Sequence, residues 1–272
     1  MLYYKLPKIS CLLVTANGRY ETVKRSIQCY KNQIYPNKEL VVVNEGDSEY
    51  QDFLYEETKD MSDVVRVFLN GKYTLGALRN VSIDICSGEI FVQWDDDDFN
   101  MPERLAVQYG YFCKHPKAQV CYLSDQLHYY FDLKSVYWEN WSKFQSGNIK
   151  KYSLIPGTLM AKKEGFDFKY PSSGKHARAG EDTVLSNKLC EVDDRVVLLS
   201  GVGYIHVYSF HGMNVYGIDH HQNISSGRSE ESSHMRDHRI EISRTLDHLN
   251  FADEIKVMGR NDLSFIYRRG HV

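Results

Sequence analysis

An α/β fold, with a mostly parallel sheet covered by helices on both faces, is what this sequence predicts, and three observations predict it. Short apolar runs alternate with segments of helical periodicity through the first hundred residues, the pattern of a parallel sheet flanked by helices. The first run, Ile9 to Thr15, is continuously apolar rather than alternating, as a strand buried on both faces must be. Several runs end in polar or glycine-containing turns. Such a sheet binds ligands at the carboxyl ends of its strands, near a topological switch point.

After the first strand, Tyr20, Val23, Ile27 and Tyr30 recur at intervals of three and four and mark a helix with one buried face. Glu39 to Val43 is a second strand, closed by Asn44-Glu45-Gly46-Asp47. Tyr50, Phe53 and Leu54 give the next helix its apolar side, and Val64 to Leu69 is the third strand. Gly71 and Gly76 bracket a loop, and Leu78, Val81 and Ile85 stripe a further helix. Ile90 to Trp94 is then a short buried strand, and Pro102 suits the first turn of the helix that follows, where its missing N–H is not needed. Thr15 to Arg19, Asn44 to Asp47, Asn70 to Gly76 and Asp95 to Asp98 are thereby expected at one edge.

Beyond Pro116 the alternation weakens. Val120 to Ser124, Gln126 to Phe131, Val196 to Ser200 and Tyr204 to Tyr208 read as strands, as does Ile155 to Ala161 around Pro156-Gly157. Trp138 to Lys151 reads as an aromatic, polar loop and Glu181 to Leu189 as a helix. From about Asp219 the chain is polar and reads as a helical tail.

Between the last clear strand and Pro102 stand four consecutive carboxylates, Asp95 to Asp98. Adjacent negative charges at a buried strand end are unfavourable unless a cation or hydrogen-bond donors offset them. A solvated acidic face is the bland alternative, but such a run rarely follows an apolar strand directly. A calcium EF-hand fails on spacing, because the sixth position would be Asn100 and the twelfth Ala106. A hard divalent ion with oxygen ligands, Mn²⁺ or Mg²⁺, is the economical partner.

Length and composition set the frame. At 272 residues the chain can form one large domain or two modest ones. A net charge of −3 and a pI near 6.4 argue against a general nucleic-acid binder. The opening residues Met1 to Pro7 do not have the form of a signal peptide, and no stretch approaches a membrane span; a cytoplasmic protein is expected. Cys11, Cys29, Cys86, Cys113, Cys121 and Cys190 form no C-x-x-C pair and read as reduced core thiols. The 20 tyrosines fit either a core or a sugar pocket.

The order of motifs resembles the family 2 glycosyltransferases over about Lys8 to Asn214. Thr15, Asn17 and Arg19 are similar to the family's T-x-x-N-R turn, and Gln33 to Val43 to its Q-T-Y-P-N-x-E-I-I-V-V segment. Gly76 to Asn80 with Gly88-Glu89 resembles its G-x-x-x-A-R-N and G-E pair, and Asp95 to Asp97 falls at its D-x-D. Gly180-Glu181-Asp182 resembles its E-D motif and His211 to Asn214 its H-G-x-N. One departure is Asn44-Glu45-Gly46-Asp47 in place of the usual D-D-G-S.

The resemblance implies a GT-A fold: a Rossmann-like, doubly wound and mostly parallel sheet, with a smaller mixed sheet on the acceptor side. It implies a nucleotide-sugar-binding half at residues 1–115, an acceptor-binding half at 116–218 and a helical tail at 219–272. The implied function is inverting transfer from a nucleotide-diphosphate sugar, with UDP-sugar expected, to an acceptor hydroxyl. The acceptor would be a saccharide or lipid-linked saccharide in surface polysaccharide or glycan synthesis. Peripheral association with the inner membrane face stays open.

By the same resemblance Asp97, with Asp95 and His211, is expected at the metal, and His211 alternatively at the diphosphate. Thr15, Asn17, Arg19, Glu45, Arg79, Asp95 and Asp96 are expected at the nucleotide. Glu45 stands where a carboxylate accepts the pyrimidine N3–H; the ordinary alternative is a turn residue. Arg79 either meets the phosphates or braces the acids as a salt bridge. Asp182 is expected as the general base, with Glu181 orienting it or holding the acceptor. Carboxylates in a first helical turn also serve the dipole, so a capping role is the alternative for both. His220 and His221 are read as tail residues. Tyr137, Trp138 and Trp141 either stack on a sugar or belong to the core.

Two other functions share parts of this pattern. A sugar nucleotidyltransferase shares the sheet and metal acids, but it calls for a glycine-rich basic loop after the first strand, which Thr15 to Arg19 is not. A non-enzymatic nucleotide-sugar-binding protein would be expected to have lost one of the acid motifs, and both are present.

Overall fold

The computed structural model describes residues 6–143, 152–192 and 195–270. The chain begins with β1 (Ile9–Thr15), α1 (Tyr20–Lys31), β2 (Lys38–Asn44), α2 (Ser48–Thr58), β3 (Val64–Phe68), α3 (Leu75–Ile85) and β4 (Ile90–Gln93). There follow β5 (Phe99–Asn100), α4 (Arg104–Lys114), β6 (Val120–Leu123), β7 (Asp125–Tyr130), β8 (Ser135–Asn140) and β9 (Met160–Lys162). The last third holds α5 (Glu181–Val192), β10 (Val196–Leu199), β11 (His206–Phe210), α6 (Ile218–Arg228), α7 (Ser232–Asp237), α8 (Arg239–Leu249), β12 (Glu254–Met258) and β13 (Leu263–Arg268).

The strands form two sheets in two compact units. The first unit runs to Asp97 and takes in Leu105–Tyr122 and Pro156–Val197; the second is Asp98–Arg104, Leu123–Ile155 and everything from Leu198. The halves expected from sequence are continuous segments, whereas these units interleave. The boundary falls inside the acid run, so Asp98 belongs to the second unit.

In the seven-stranded sheet the order is β10-β6-β9-β4-β1-β2-β3. β1 pairs in parallel with both β2 and β4, and β2 with β3; β9 runs antiparallel to β4 and β6. The chain winds outward from β1 through β3 and then returns to β4 on the other side of β1. That reversal is the topological switch point, and a crevice opens where two neighbouring strands diverge at their carboxyl ends. All seven residues of β1 are buried, as are Val23, Ile27 and Tyr30 of α1. Each such apolar side chain contributes about 1.5–3 kcal/mol by leaving water.

The six-stranded sheet has the order β13-β12-β8-β7-β11-β5 and lies in the second unit. Four expectations are corrected here. Ser135–Asn140 is a strand, where a loop was expected from Trp138; the rest of that loop, 144–151, lies outside the described residues. Ile155 to Ala161 is a strand only from Met160, because Pro156–Thr158 forms a 3₁₀ turn. Tyr204 lies in another such turn, Gly203–Ile205, and the strand starts at His206. Pro102 stands in a turn before α4 rather than in its first turn.

The tail has its three helices and then the antiparallel pair β12 and β13, with β12 parallel to β8. Trp138 is fully buried and its indole N–H donates to Asp125, so it belongs to the core. His221 is buried as well, stacked on Tyr208. Of the cysteines, Cys11, Cys29, Cys86 and Cys121 are buried and Cys113 is exposed; none forms a disulfide among the described residues. No described helix is long and apolar enough to cross a membrane.

Candidate active site

The site is built where β4 turns acidic. Trp94, fully buried, donates its indole N–H to the Ser26 carbonyl, and the Ser26 hydroxyl donates to the Asp95 carbonyl at 2.9 Å. α1 thus fixes the backbone at the start of the acid run. The Asp95 carboxylate then accepts from Gln93 Nε2 at 2.9 and 3.2 Å and from Arg79 Nη2 at 2.8 Å. A Cβ on Gly157 would lie 3.0 Å from its Oδ2, so the approach of this turn to Asp95 favours glycine.

Asp96 is 4% exposed and pairs with Arg19 Nη1 at 2.5 Å; the same nitrogen reaches Asp97 at 2.9 Å. One guanidinium therefore serves two carboxylates. Burial and the neighbouring Asp97 push the Asp96 carboxyl up to about 7, although Arg19 acts against them. Its Oδ2 is buried with no hydrogen-bond partner. Burial and the adjacent carboxylate thus outweigh Arg19 at this position and favour the protonated form of Asp96.

The neighbouring strand ends are tied to one another. Asn44 donates to the Thr15 carbonyl and accepts from Gly46 N–H, and the Thr15 hydroxyl shares a hydrogen bond with Tyr50. The Asn17 amide both donates to and accepts from Asp47. A Cβ at Gly46 would stand 2.1 Å from Asn17 Oδ1, which makes glycine the residue for that turn. Glu45 accepts the backbone N–H of Tyr73 and so bridges the β2 turn to the loop before α3.

α3 carries the link to the second acid motif. Thr74 caps it by accepting from Ala77 N–H. One turn on, the buried Arg79 donates Nε to Glu181 at 2.9 Å while its Nη2 holds Asp95. Glu181 is 2% exposed, so this ion pair lies out of water. α5 starts at Glu181 behind Gly180, whose carbonyl accepts Val184 N–H and whose φ is +76°. Gly180 therefore occupies the N-cap. Asp182 follows in the first turn, with Thr183 N–H donating to its Oδ1 at 2.6 Å. Burial and the adjacent Glu181 push the Asp182 carboxyl up to about 6, with Arg79 opposing.

Thr15, Asn17, Arg19, Glu45, Arg79, Asp95, Asp96, Asp97, Glu181 and Asp182 all lie in the first unit, and His211 lies in the second. His211 Nδ1 accepts from Met213 N–H at 3.3 Å; a neutral ring that accepts at Nδ1 carries its proton on Nε2. Asp98 accepts from Ser209 N–H inside the second unit. Among the described residues no three His, Cys, Asp or Glu side chains gather as a metal cage. Of the two roles open to Arg79, the structure shows the brace. Arg19, expected at the nucleotide, holds acids. Gln93 and Tyr170 join the site without having been expected; an amide at the end of an apolar strand was the one available signal for Gln93.

A doubly wound sheet with acids at its switch point defines the class of α/β proteins whose ligand site lies at the carboxyl ends of their strands. More narrowly, the chain belongs to glycosyl transferase family 2, whose family model matches residues 10–164, over half of its length. It is 28% identical over 95 residues to the GalNAc(5)-diNAcBac-PP-undecaprenol beta-1,3-glucosyltransferase of Campylobacter jejuni, covering 34% of this chain and 30% of that one. Among solved structures, S. aureus TarS 1-349 in complex with UDP-GlcNAc shares the fold at a TM-score of 0.60 and 15% identity, over 90% of this chain and 73% of that one. The mannosyltransferase PcManGT of Pyrobaculum calidifontis, in complex with GDP-Man and Mn²⁺, does so at 0.58 and 14%, over 82% and 62%. The matches span less than half the length of the curated relatives.

Proposed function

We propose that the protein is an inverting, metal-dependent glycosyltransferase that moves a sugar from a nucleotide-diphosphate sugar, a UDP-sugar, to a hydroxyl of a saccharide or lipid-linked saccharide. The observation that carries this reading is the pairing of two acid motifs through one arginine. Arg79 bridges Asp95 at the switch point to Glu181, beside Asp182. One motif suits the donor diphosphate and the other the acceptor hydroxyl.

On this reading Asp182 removes the acceptor proton while the acceptor oxygen attacks the anomeric carbon from the face opposite the diphosphate. The new C–O bond forms as the bond to the diphosphate oxygen breaks, and that oxygen leaves with the electron pair. The anomeric configuration inverts. A base with a carboxyl near 6 is ionised at neutral pH yet basic enough to share a proton in the transition state. Glu181, held by Arg79, fixes the turn that carries it.

A divalent cation is the further partner that these adjacent carboxylates call for: carboxylate oxygens suit hard ions, and a bound cation would offset the repulsion that already raises the Asp96 carboxyl. Asp97 and Asp95 would hold Mn²⁺ or Mg²⁺, which when bound offsets charge on the leaving phosphate oxygens. Thr15, Asn17, Arg19 and Glu45 border the nucleotide, and Glu45 is the acceptor available for a pyrimidine N3–H. The C. jejuni relative's name describes an undecaprenol-linked saccharide, which supports a lipid-linked acceptor.

A panel of UDP-, GDP- and CDP-sugars tests this, read as donor hydrolysis with Mn²⁺ or with chelator. One UDP-sugar should be consumed in the presence of the metal, and Asp97→Ala should abolish the metal dependence of UDP binding. Equal UDP affinity with Mn²⁺ and with chelator in calorimetry would refute the metal role.

A further inference from the structure

Behind Asp95 stands a second row of residues that the proposed reaction does not use. Gln93 is 3% exposed and Tyr170 4%, both in the first unit, and neither faces solvent. A buried amide is unfavourable unless its polar atoms are paired. The Gln93 amide is paired on both sides: Nε2 reaches both Asp95 oxygens, at 2.9 and 3.2 Å, and Oε1 lies 2.9 Å from the Tyr170 hydroxyl.

The direction of these bonds is fixed by chemistry. A carboxylate can only accept, so the amide nitrogen faces Asp95 and the amide oxygen faces Tyr170; the hydroxyl must then donate. Burial holds the Tyr170 hydroxyl well above its ordinary range, so the proton stays in place to be donated. The Gln93 nitrogen, shared between the two Asp95 oxygens, sets the plane of the carboxylate, and Arg79 holds Oδ1 at 2.8 Å.

Tyr170 is itself held by α3. The Asn80 amide donates to the Tyr170 carbonyl at 2.9 Å and accepts its N–H at 2.8 Å. One turn earlier, a Cβ on Gly76 would stand 2.0 Å from the Pro171 carbonyl oxygen, so a glycine there lets the 170–171 segment approach the helix. Arg79, next to Asn80, lies 5.7 Å over the Tyr170 ring. Consecutive residues of one helix therefore hold Asp95 directly, through Arg79, and indirectly, through Asn80, Tyr170 and Gln93.

We propose that Tyr170 and Gln93 are positioning residues for the donor: a hydroxyl-to-amide-to-carboxylate relay that orients Asp95 for the nucleotide-diphosphate sugar. This rests on the reading above, in which Asp95 meets the donor side. Neither residue touches substrate; both act through Asp95.

The test uses Asp95→Ala, Tyr170→Phe, Gln93→Met and the double variant Tyr170→Phe/Gln93→Met in the full chain. The probe is whichever of UDP, GDP and CDP the wild type binds most tightly with Mn²⁺, measured by calorimetry beside donor-hydrolysis KM, kcat and melting temperature. Tyr170→Phe, nearly isosteric, should raise donor KM and weaken nucleotide binding about fivefold, as for one lost hydrogen bond, with kcat close to wild type. Gln93→Met should do so about tenfold. The double variant should match Gln93→Met alone, because Tyr170 acts only through the amide.

A Tyr170→Phe variant with wild-type KM and affinity, whatever its melting temperature, overturns the relay, as does a double variant whose losses multiply. If Asp95→Ala binds nucleotide as the wild type does, the donor reading of Asp95 falls and the relay with it. If Asp95→Ala is impaired and Tyr170→Phe is not, the relay alone is wrong.

Discussion

Arg79 and Glu181 are 102 positions apart in the chain, yet Arg79 Nε donates to the Glu181 carboxylate at 2.9 Å, with both side chains buried. The same guanidinium holds Asp95, so removing it leaves two carboxylates short of their cation. Breaking a buried pair by taking away one partner typically costs about 3–5 kcal/mol, because the remaining charge is stranded. Arg79→Met should destabilise the protein by about that amount in urea denaturation. Arg79→Met/Glu181→Met should lose less than the two single losses added together, since one of the two stranded carboxylates is gone. Simple additivity would show that the two side chains do not act as a pair.

Asp182→Asn keeps a side-chain oxygen but removes the basicity. Transfer should fall by roughly 10²–10⁴-fold with nucleotide affinity nearly unchanged. Because Gly180 occupies the N-cap and the Asp182 carboxyl is raised in the folded protein, the neutral amide should not lower the melting temperature at neutral pH. In the wild type, transfer should decline as pH falls through about 6, where the carboxylate takes up its proton, and the residual activity of the variant should lack that limb. Near-normal turnover in Asp182→Asn would remove Asp182 from the base role.

Asp96 makes a forecast about stability. Its folded carboxyl is raised to about 7 from an unfolded value near 3.9, so the folded state favours the protonated form. Ionisation is disfavoured on folding, and the penalty grows as pH rises from about 4 towards 7 and persists above it. Asp96→Asn carries no such charge. Its melting temperature relative to wild type should therefore become more favourable between pH 5 and pH 8, and thermal melts in metal-free buffer across that range check the slope. The comparison between variants cancels the opposite pull of His221, whose lowered value favours folding as pH rises.

Legibility in the sequence followed locality. β1, β2 and β4 are runs buried along nearly their whole length, so their continuous hydrophobicity revealed them. β8 was missed from Trp138 on because its buried Glu139 depends on His128, Gln126 and Ser225 from elsewhere in the fold. β12 alternates, with Ile255 and Val257 inward, but it lies in a polar tail where short alternation carries little weight. In the site, the acids were readable because four adjacent carboxylates after an apolar strand demand compensation.

By itself, then, the sequence determined the parallel sheet, the edge at which its turns meet and the acidic chemistry gathered there, since these follow from side-chain periodicity and adjacent charge. Only the tertiary structure decided which cation answers which acid: Arg19 for Asp96 and Asp97, Arg79 for Asp95 and Glu181. It alone brought Tyr170 to Gln93, 77 positions away. Ion pairs and hydrogen bonds are satisfied by whatever the fold brings within about 3 Å, and that proximity is a property of packing rather than of spacing along the chain.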